Sequence, residues 1–263
     1  MVNDLFSVDG QVVLVSGASR GIGRTLAQGF ADRGAAVVIT GRVAETLEQT
    51  AGEICPPGGC VRAKVCDAAD AKALQRLADE VVAEFGRIDT LVNCAGVNKR
   101  IRAEQYDEAT YDYITNINIR GAFFLSLAVG RHMIKAKRGC QINIDSINSH
   151  RPLRYVAPYA MSKAAMSHMT RCLAMEWGPH GVRVNSLAPG FIATTDLAKP
   201  LLSNSKINEW REKNTPLGRP GTPDDLVGVA IFLASKAASY VTGQVIYVDG
   251  GTTCGLFWPL DVD

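Results

Sequence analysis

Short runs of aliphatic and β-branched residues alternate with longer helical stretches along all 263 residues, and this alternation limits the possible folds more than any other feature. The runs are Val12 to Ser16, Ala36 to Thr40, Val61 to Val65, Ile88 to Val92, Gln141 to Ile144, Arg183 to Leu187 and Val245 to Val248. Most are apolar with little interruption, the pattern of strands buried on both faces. Helical segments fall at Gly23 to Arg33, about Ala44 to Ile54, Asp70 to Phe85, about Tyr111 to Ala136, Val156 to Trp177 and Pro223 to Leu233. Such alternation predicts an α/β fold: a doubly wound parallel sheet of seven strands with helices on both faces. Ligands are then expected beyond the carboxyl ends of the strands. No repeat or low-complexity linker divides the chain, so residues 1–263 are expected to form a single domain. The least regular stretch, about residues 191–219, carries Pro200, Pro216 and Gly218. Its place between the sixth strand and the next core helix suits a substrate lid, the alternative being a packed surface excursion.

A net charge of +2 gives no electrostatic reason to expect a nucleic-acid or membrane partner. No apolar stretch approaches the roughly 20 residues that span a bilayer. The first residues lack the basic segment and apolar run of a signal peptide. Cys55 and Cys60 are the only close pair among seven scattered cysteines, and no second ligand pair for zinc accompanies them. Reduced thiols and a cytoplasmic location are expected, with no metal site.

The first strand runs directly into Gly17-Ala18-Ser19-Arg20-Gly21-Ile22-Gly23, which opens the first core helix. Glycines there permit a tight turn and bring backbone amides close to a pyrophosphate at the helix N-terminus. The spacing is G-x-x-x-G-x-G rather than the commoner G-x-G-x-x-G. Far along the chain, Tyr159 and Lys163 stand four residues apart and share a helix face. A free phenol titrates near about 10. An ammonium beside it favours the phenolate and makes it a usable acid/base. A dinucleotide cradle and a proton-shuttling phenol together are the two halves of a hydride-transfer enzyme.

These motifs, with Asn93-Cys94-Ala95-Gly96 after the fourth strand, Asn118, Ser146 and Pro189-Gly190 after the sixth, resemble the short-chain dehydrogenase/reductase family over nearly the whole chain. The resemblance implies a Rossmann fold and a catalytic tetrad of Asn118, Ser146, Tyr159 and Lys163. Asn118 would hold a water in the proton relay, Ser146 would bond the substrate oxygen, and Lys163 would also grip the nicotinamide ribose. It further implies cofactor contacts at Gly17, Ser19, Arg20, Gly21, Ile22, Gly23, Asn93, Ala95 and Gly96. Asp67 would meet the adenine, and Pro189, Gly190, Ile192 and Thr194 the nicotinamide side. Two positions depart from the family pattern: Ser16 replaces a usual Thr, and Asp145 stands where Ser, Gly or Cys is usual. Family members also assemble through their two long helices. A homotetramer is therefore expected, with an apolar stripe of Met161, Ala165, Met169, Leu173 and Trp177 and the tail Gly255 to Leu260 at subunit boundaries; for the stripe, a core role is the alternative.

No acid ends the second strand, where one would bond a ribose 2′-hydroxyl. Arg20 and Arg42 instead suit a 2′-phosphate, so NADP(H) is favoured over NAD(H), with a merely solvated Arg42 as the alternative. Within the family the chain is similar to gluconate 5-dehydrogenase-like members. Lys99, Arg100 and Arg154 flank the expected carbonyl position, where cations can hold the carboxylate of a sugar acid; solvent-facing or subunit-facing charges are the alternative. The expected reaction is hydride transfer between NADP(H) and a secondary alcohol or ketone of a sugar acid or polyol. A 3-oxoacyl-[acyl-carrier-protein] reductase is the second reading. Arg131, Lys135, Lys137 and Arg138 favour it, and Met175, where such reductases carry Arg, opposes it. A non-catalytic NADP-binding protein is the third, opposed by the intact tetrad.

Overall fold

The structure, a computed structural model, describes residues 2–193 and 204–255. Strands β1 (Val12–Ser16), β2 (Ala36–Gly41), β3 (Cys60–Val65), β4 (Thr90–Asn93), β5 (Gly139–Ile144), β6 (Val182–Pro189) and β7 (Val245–Val248) form one sheet in the order β3-β2-β1-β4-β5-β6-β7. Every pairing is parallel, with Val12 beside Ala36 and Leu14 beside Leu91 around the central β1. The strand order reverses between β1 and β4, and the crevice there is where a doubly wound sheet binds ligands.

Helices α1 (Val2–Leu5), α2 (Gly21–Ala31), α3 (Ala44–Ile54), α4 (Ala71–Phe85), α5 (Glu108–Thr115), α6 (Ala122–Ala136), α7 (Ala157–Trp177), α8 (Ser205–Lys213) and α9 (Val227–Ala234) complete the described chain. Alternate strand side chains feed two separate cores. Val13, Val15, Val37 and Ile39 pack with Leu26, Phe30, Leu47, Leu226 and Leu233 on one side. Val12, Leu14, Val38 and Leu91 pack with Leu77, Val81, Leu125, Met133, Met166 and Trp177 on the other. This period of two, apolar on both faces, is why the strands read as continuous apolar runs. Local chemistry sets the helix ends: the Asp70 carboxylate accepts from the Lys72 and Ala73 amides, and Gly86 closes α4 in the left-handed region. No helix among the described residues is long and apolar enough to cross a membrane.

Two expected helices are divided: that expected from Pro223 to Leu233 is a 3-10 turn, Pro223–Leu226, followed by α9. The single helix from about Tyr111 to Ala136 is two helices joined by a π turn, Asn116–Gly121, which carries Asn118. A π turn inserts a residue without breaking the apolar face, so periodicity alone does not reveal it. Gly121 ends the turn pressed against the Ala68 carbonyl, with no room for a β-carbon. The stripe expected along α7 also divides: Met169, Leu173 and Trp177 belong to the core, while Met161 is 56% exposed.

Candidate active site

The carboxyl ends of β1, β4, β5 and β6 meet at one edge of the sheet, and their last residues build the site from below. Gly17 leaves β1 with φ +67°, and a β-carbon there would stand 2.6 Å from the Ala95 Cα. One at Gly23 would strike the Gly17 carbonyl. The Ser16 hydroxyl accepts from the Cys94 and Ala95 amides at 3.1 and 3.2 Å, tying the loop after β4 to the end of β1. The hydroxyl that Ser16 shares with Thr therefore has a structural use. The N-cap residue Arg20 makes no side-chain capping bond, which among the described residues leaves the first amides of α2 to an anion. These close backbone approaches and open amides fit the pyrophosphate of a dinucleotide.

Ser19 packs beside Gly41 at the end of β2: a β-carbon on Gly41 would lie 3.6 Å from the Ser19 Cβ. Arg20 and Arg42, one residue further along each segment, are exposed on that shared rim. The rim lies beside the cradle, as a 2′-phosphate requires. Asp67 is exposed, and its Oδ1 accepts from the Ala69 amide. Asn93 is buried, and its Nδ2 donates to Ser126 Oγ and Asn143 Oδ1 at 2.8 and 2.9 Å. Its part is to lock β4 to β5 beneath the site. Pro189 ends β6 beside Val248, Gly190 lies against the Asp249 backbone, and Ile192 pairs with Gly221. Thr194 lies outside the described residues.

Ser146, Tyr159 and Lys163 converge above this edge. Lys163 is 4% exposed, donates from Nζ to the Ile144 carbonyl at 2.6 Å, and has its ammonium 5.7 Å from the Tyr159 ring centroid. The Ser146 hydroxyl accepts from both the amide and the Nδ2 of Asn148, each at 3.2 Å. With its oxygen accepting twice, what the hydroxyl has left to offer is its own proton, a donor for a substrate oxygen. Asn148 was not foreseen. Its signal was an Asn two residues beyond the strand-end Ser, a spacing common in side-chain-bonded turns.

The Asn118 side chain is fully buried and engaged: Oδ1 accepts from the Val97 amide at 2.8 Å, and Nδ2 donates to Val97 O and Ser162 Oγ at 2.9 and 3.1 Å. It clamps the loop after β4 to α7 within a turn of Lys163. Asp145 is 2% exposed, and neither carboxylate oxygen accepts a hydrogen bond of normal geometry among the described residues. Burial pushes its carboxyl up to about 6, against the Lys163 charge, the Ser146 amide and the nearby Ser149 and Ser167 hydroxyls. Burial likewise pushes the Cys94 thiol up to about 12 and Cys66 to about 11, so neither is primed as a nucleophile.

The three cations expected near the substrate have these surroundings. Lys99 is drawn to the Thr110 hydroxyl and the Tyr113 ring, Arg100 is exposed, and Arg154 stacks over the Tyr155 ring at 5.0 Å. A cavity of about 320 Å³ is walled by Ile147, which follows Ser146, with Leu153, Phe191, Trp210 and Pro216, and the cation among its described lining residues is Arg151.

The model of a known protein family, described as enoyl-(acyl carrier protein) reductase, matches residues 17–253. Gluconate 5-dehydrogenase of Gluconobacter oxydans (strain 621H) is 41% identical over 253 residues, 96% of this chain and 98% of that protein. Galactitol 2-dehydrogenase (L-tagatose-forming) of Cereibacter sphaeroides is 38% identical over 95% of this chain and 97% of its own length. A crystal structure of a gluconate 5-dehydrogenase from Burkholderia cenocepacia J2315, in complex with NADP and tartrate, superimposes with a TM-score of 0.94 at 38% identity, covering 97% of this chain and all of that one. With the family model spanning residues 17–253, relatives matched over nearly the full length and the parallel sheet shared with the solved neighbour, the chain belongs to the short-chain dehydrogenase/reductase family of oxidoreductases.

Proposed function

We propose that the chain interconverts a secondary alcohol and a ketone on a sugar acid or polyol, with NADP(H) as the hydride partner. The observation that carries this reading is the convergence of Ser146, Tyr159 and Lys163 beside the glycine cradle. Relatives acting on gluconate and galactitol, and a structural neighbour holding NADP and tartrate, support the substrate class and the cofactor. A nicotinamide held by the Gly17–Gly23 cradle and Lys163 would supply or accept the hydride. Ser146 donates its hydroxyl proton to the reacting oxygen and holds it in place. In the oxidative direction Tyr159 takes the proton from the substrate hydroxyl, and it returns that proton to the carbonyl oxygen in reduction. Lys163, tethered by the Ile144 carbonyl, keeps a positive charge beneath the phenol. Asn118 holds the Val97 loop and Ser162 in register.

The test is a panel of sugar acids and neutral polyols with NADP+ and NAD+, followed by absorbance of the reduced nicotinamide. Turnover of none of them with either cofactor sinks the reading. Arg42→Ala is expected to raise the KM for NADP+ roughly 10- to 100-fold, the size of a lost charged hydrogen bond, and to leave that for NAD+ within threefold. Equal shifts for both cofactors would count against a 2′-phosphate at this rim.

The reductase reading for an acyl carrier protein is weaker. Met175 is 80% exposed where the basic contact should be, and Arg138 is drawn to Asp89. The proposal extends to a homotetramer. A groove of about 430 Å³ between α6 and α7 exposes Phe123, Phe124, Leu127 and Ala165, an apolar surface suited to a second copy. Light scattering on Phe124→Glu is expected to show smaller assemblies than the wild type.

A further inference from the structure

The cavity lined by Ile147 is joined to Ser146 by a short hydrogen-bonded path. The Leu153 amide donates to Asn148 Oδ1 at 2.9 Å, and Asn148 Nδ2 donates to Ser146 Oγ at 3.2 Å. Leu153 on the wall of the cavity and the Ser146 hydroxyl are thus two hydrogen bonds apart, and Ile147, which follows Ser146 in the chain, lines the cavity itself. Its volume of about 320 Å³ falls at the lower end of the range for small-molecule sites. The aromatic walls, Phe191 and Trp210, meet edge to face at 5.6 Å and offer apolar faces to a carbon chain.

Arg151 is half-buried at this cavity. Its Nη1 donates to the Gly255 carbonyl at 2.8 Å and to the Thr252 carbonyl at 3.3 Å. Two neutral acceptors fix the plane of the guanidinium without cancelling its charge. Among the described residues no acceptor engages Nε or Nη2, which leaves one edge of the fork for a planar anion. Two of the other cations expected near the substrate have partners elsewhere: Arg154 the Tyr155 ring, and Lys99 the Thr110 hydroxyl and Tyr113 ring.

We infer that Arg151 is the residue that selects a carboxylate-bearing substrate, holding the acid group in the cavity while the reacting hydroxyl lies at Ser146 and Tyr159. The inference rests on reading the site as one for sugar acids and narrows that reading to acids over neutral polyols. The carboxylate contact is made equally in ground and transition states, so its loss falls on KM rather than kcat.

The experiment compares wild type, Arg151→Gln and Arg151→Lys on gluconate and on its neutral analogue sorbitol. Expected for Arg151→Gln is a roughly 10- to 100-fold loss of kcat/KM on gluconate, carried by KM, with sorbitol within threefold. Arg151→Lys should keep part of the preference. An equal loss on both substrates would mean that Arg151 only braces the 252–255 segment, and would overturn the assignment. Calorimetric titration with tartrate gives a second readout that needs no turnover. Binding by wild type that is lost in Arg151→Gln supports the inference even if gluconate is not a substrate. Undiminished binding in the variant, or none in the wild type, refutes it. Failure of the oxidoreductase reading shows instead as no turnover of any acid or polyol by wild type.

Discussion

Tyr159→Phe is expected to lower kcat by roughly 10²- to 10⁴-fold, the usual contribution of a positioned acid/base, while cofactor affinity changes by less than threefold. The change deletes one oxygen and nothing else. The ring stays half-buried with the Lys163 ammonium 5.7 Å from its centroid, and Lys163 keeps its 2.6 Å bond to the Ile144 carbonyl. Ser146 still offers a proton to the substrate oxygen, but a hydroxyl accepting twice from Asn148 is poorly placed to receive one. Single-turnover kinetics with pre-bound cofactor isolate the chemical step from product release. Retention of a tenth or more of the wild-type rate would show that the proton leaves by another route. Thermal unfolding of the variant, expected within a degree or two of wild type, separates lost chemistry from lost structure.

Asp145→Asn is expected to stabilise the protein at pH 8, although it alters a buried residue next to the reacting centre. In the folded chain the Asp145 carboxyl titrates at about 6 because burial strips the anion of water; its ordinary value is 3.8. Between those values the native state keeps a proton that the unfolded chain has released. The stability associated with this group is therefore fully present below about pH 4, is lost as pH rises through about 6, and stays lost above. The separation corresponds to about 3 kcal/mol at pH 8, and removing the ionisable group recovers up to that amount. An increase of roughly 5–10 °C in the unfolding midpoint should follow. It should shrink as the pH is lowered toward 4.5. A variant less stable than wild type at pH 8 would mean that the carboxylate is well compensated after all. A destabilising charge held beside Ser146 is also the kind of feature that activity, rather than stability, preserves.

Much of this was legible in the amino-acid order. Val12–Ser16 and Ala44–Ile54 have the bounds that periodicity alone assigns, because a continuous apolar run and an amphipathic stretch carry their own ends. Tyr159 and Lys163 are legible as a pair because four residues along a helix bring them to one face, and the structure sets the Lys163 ammonium 5.7 Å from the Tyr159 ring centroid. The π turn around Asn118 was not, since its extra residue leaves the apolar face intact. Helix α8 was hidden for the opposite reason. It is short and mostly polar, and its marks are the Asn204 cap on the Ile207 amide and the Glu209–Lys213 pair, not an apolar stripe. Arg151 escaped notice beside Arg154 because both lie in the same irregular segment. Which of the two faces a cavity depends on where the distant 210–216 and 251–255 segments come to rest. That is a tertiary fact no local spacing encodes.

Placing β1 at the middle of the sheet has a consequence for synthesis on the ribosome. Its two partners, β2 and β4, are complete once Asn93 has emerged, so the half with the glycine cradle can assemble while the rest is still being made. The opposite edge of β4 then waits for β5, leaving an unpaired row of backbone N–H and C=O groups exposed over some fifty residues of translation. Nascent chains stalled between about residues 100 and 140 should therefore be the ones most prone to stick to one another or to need a chaperone.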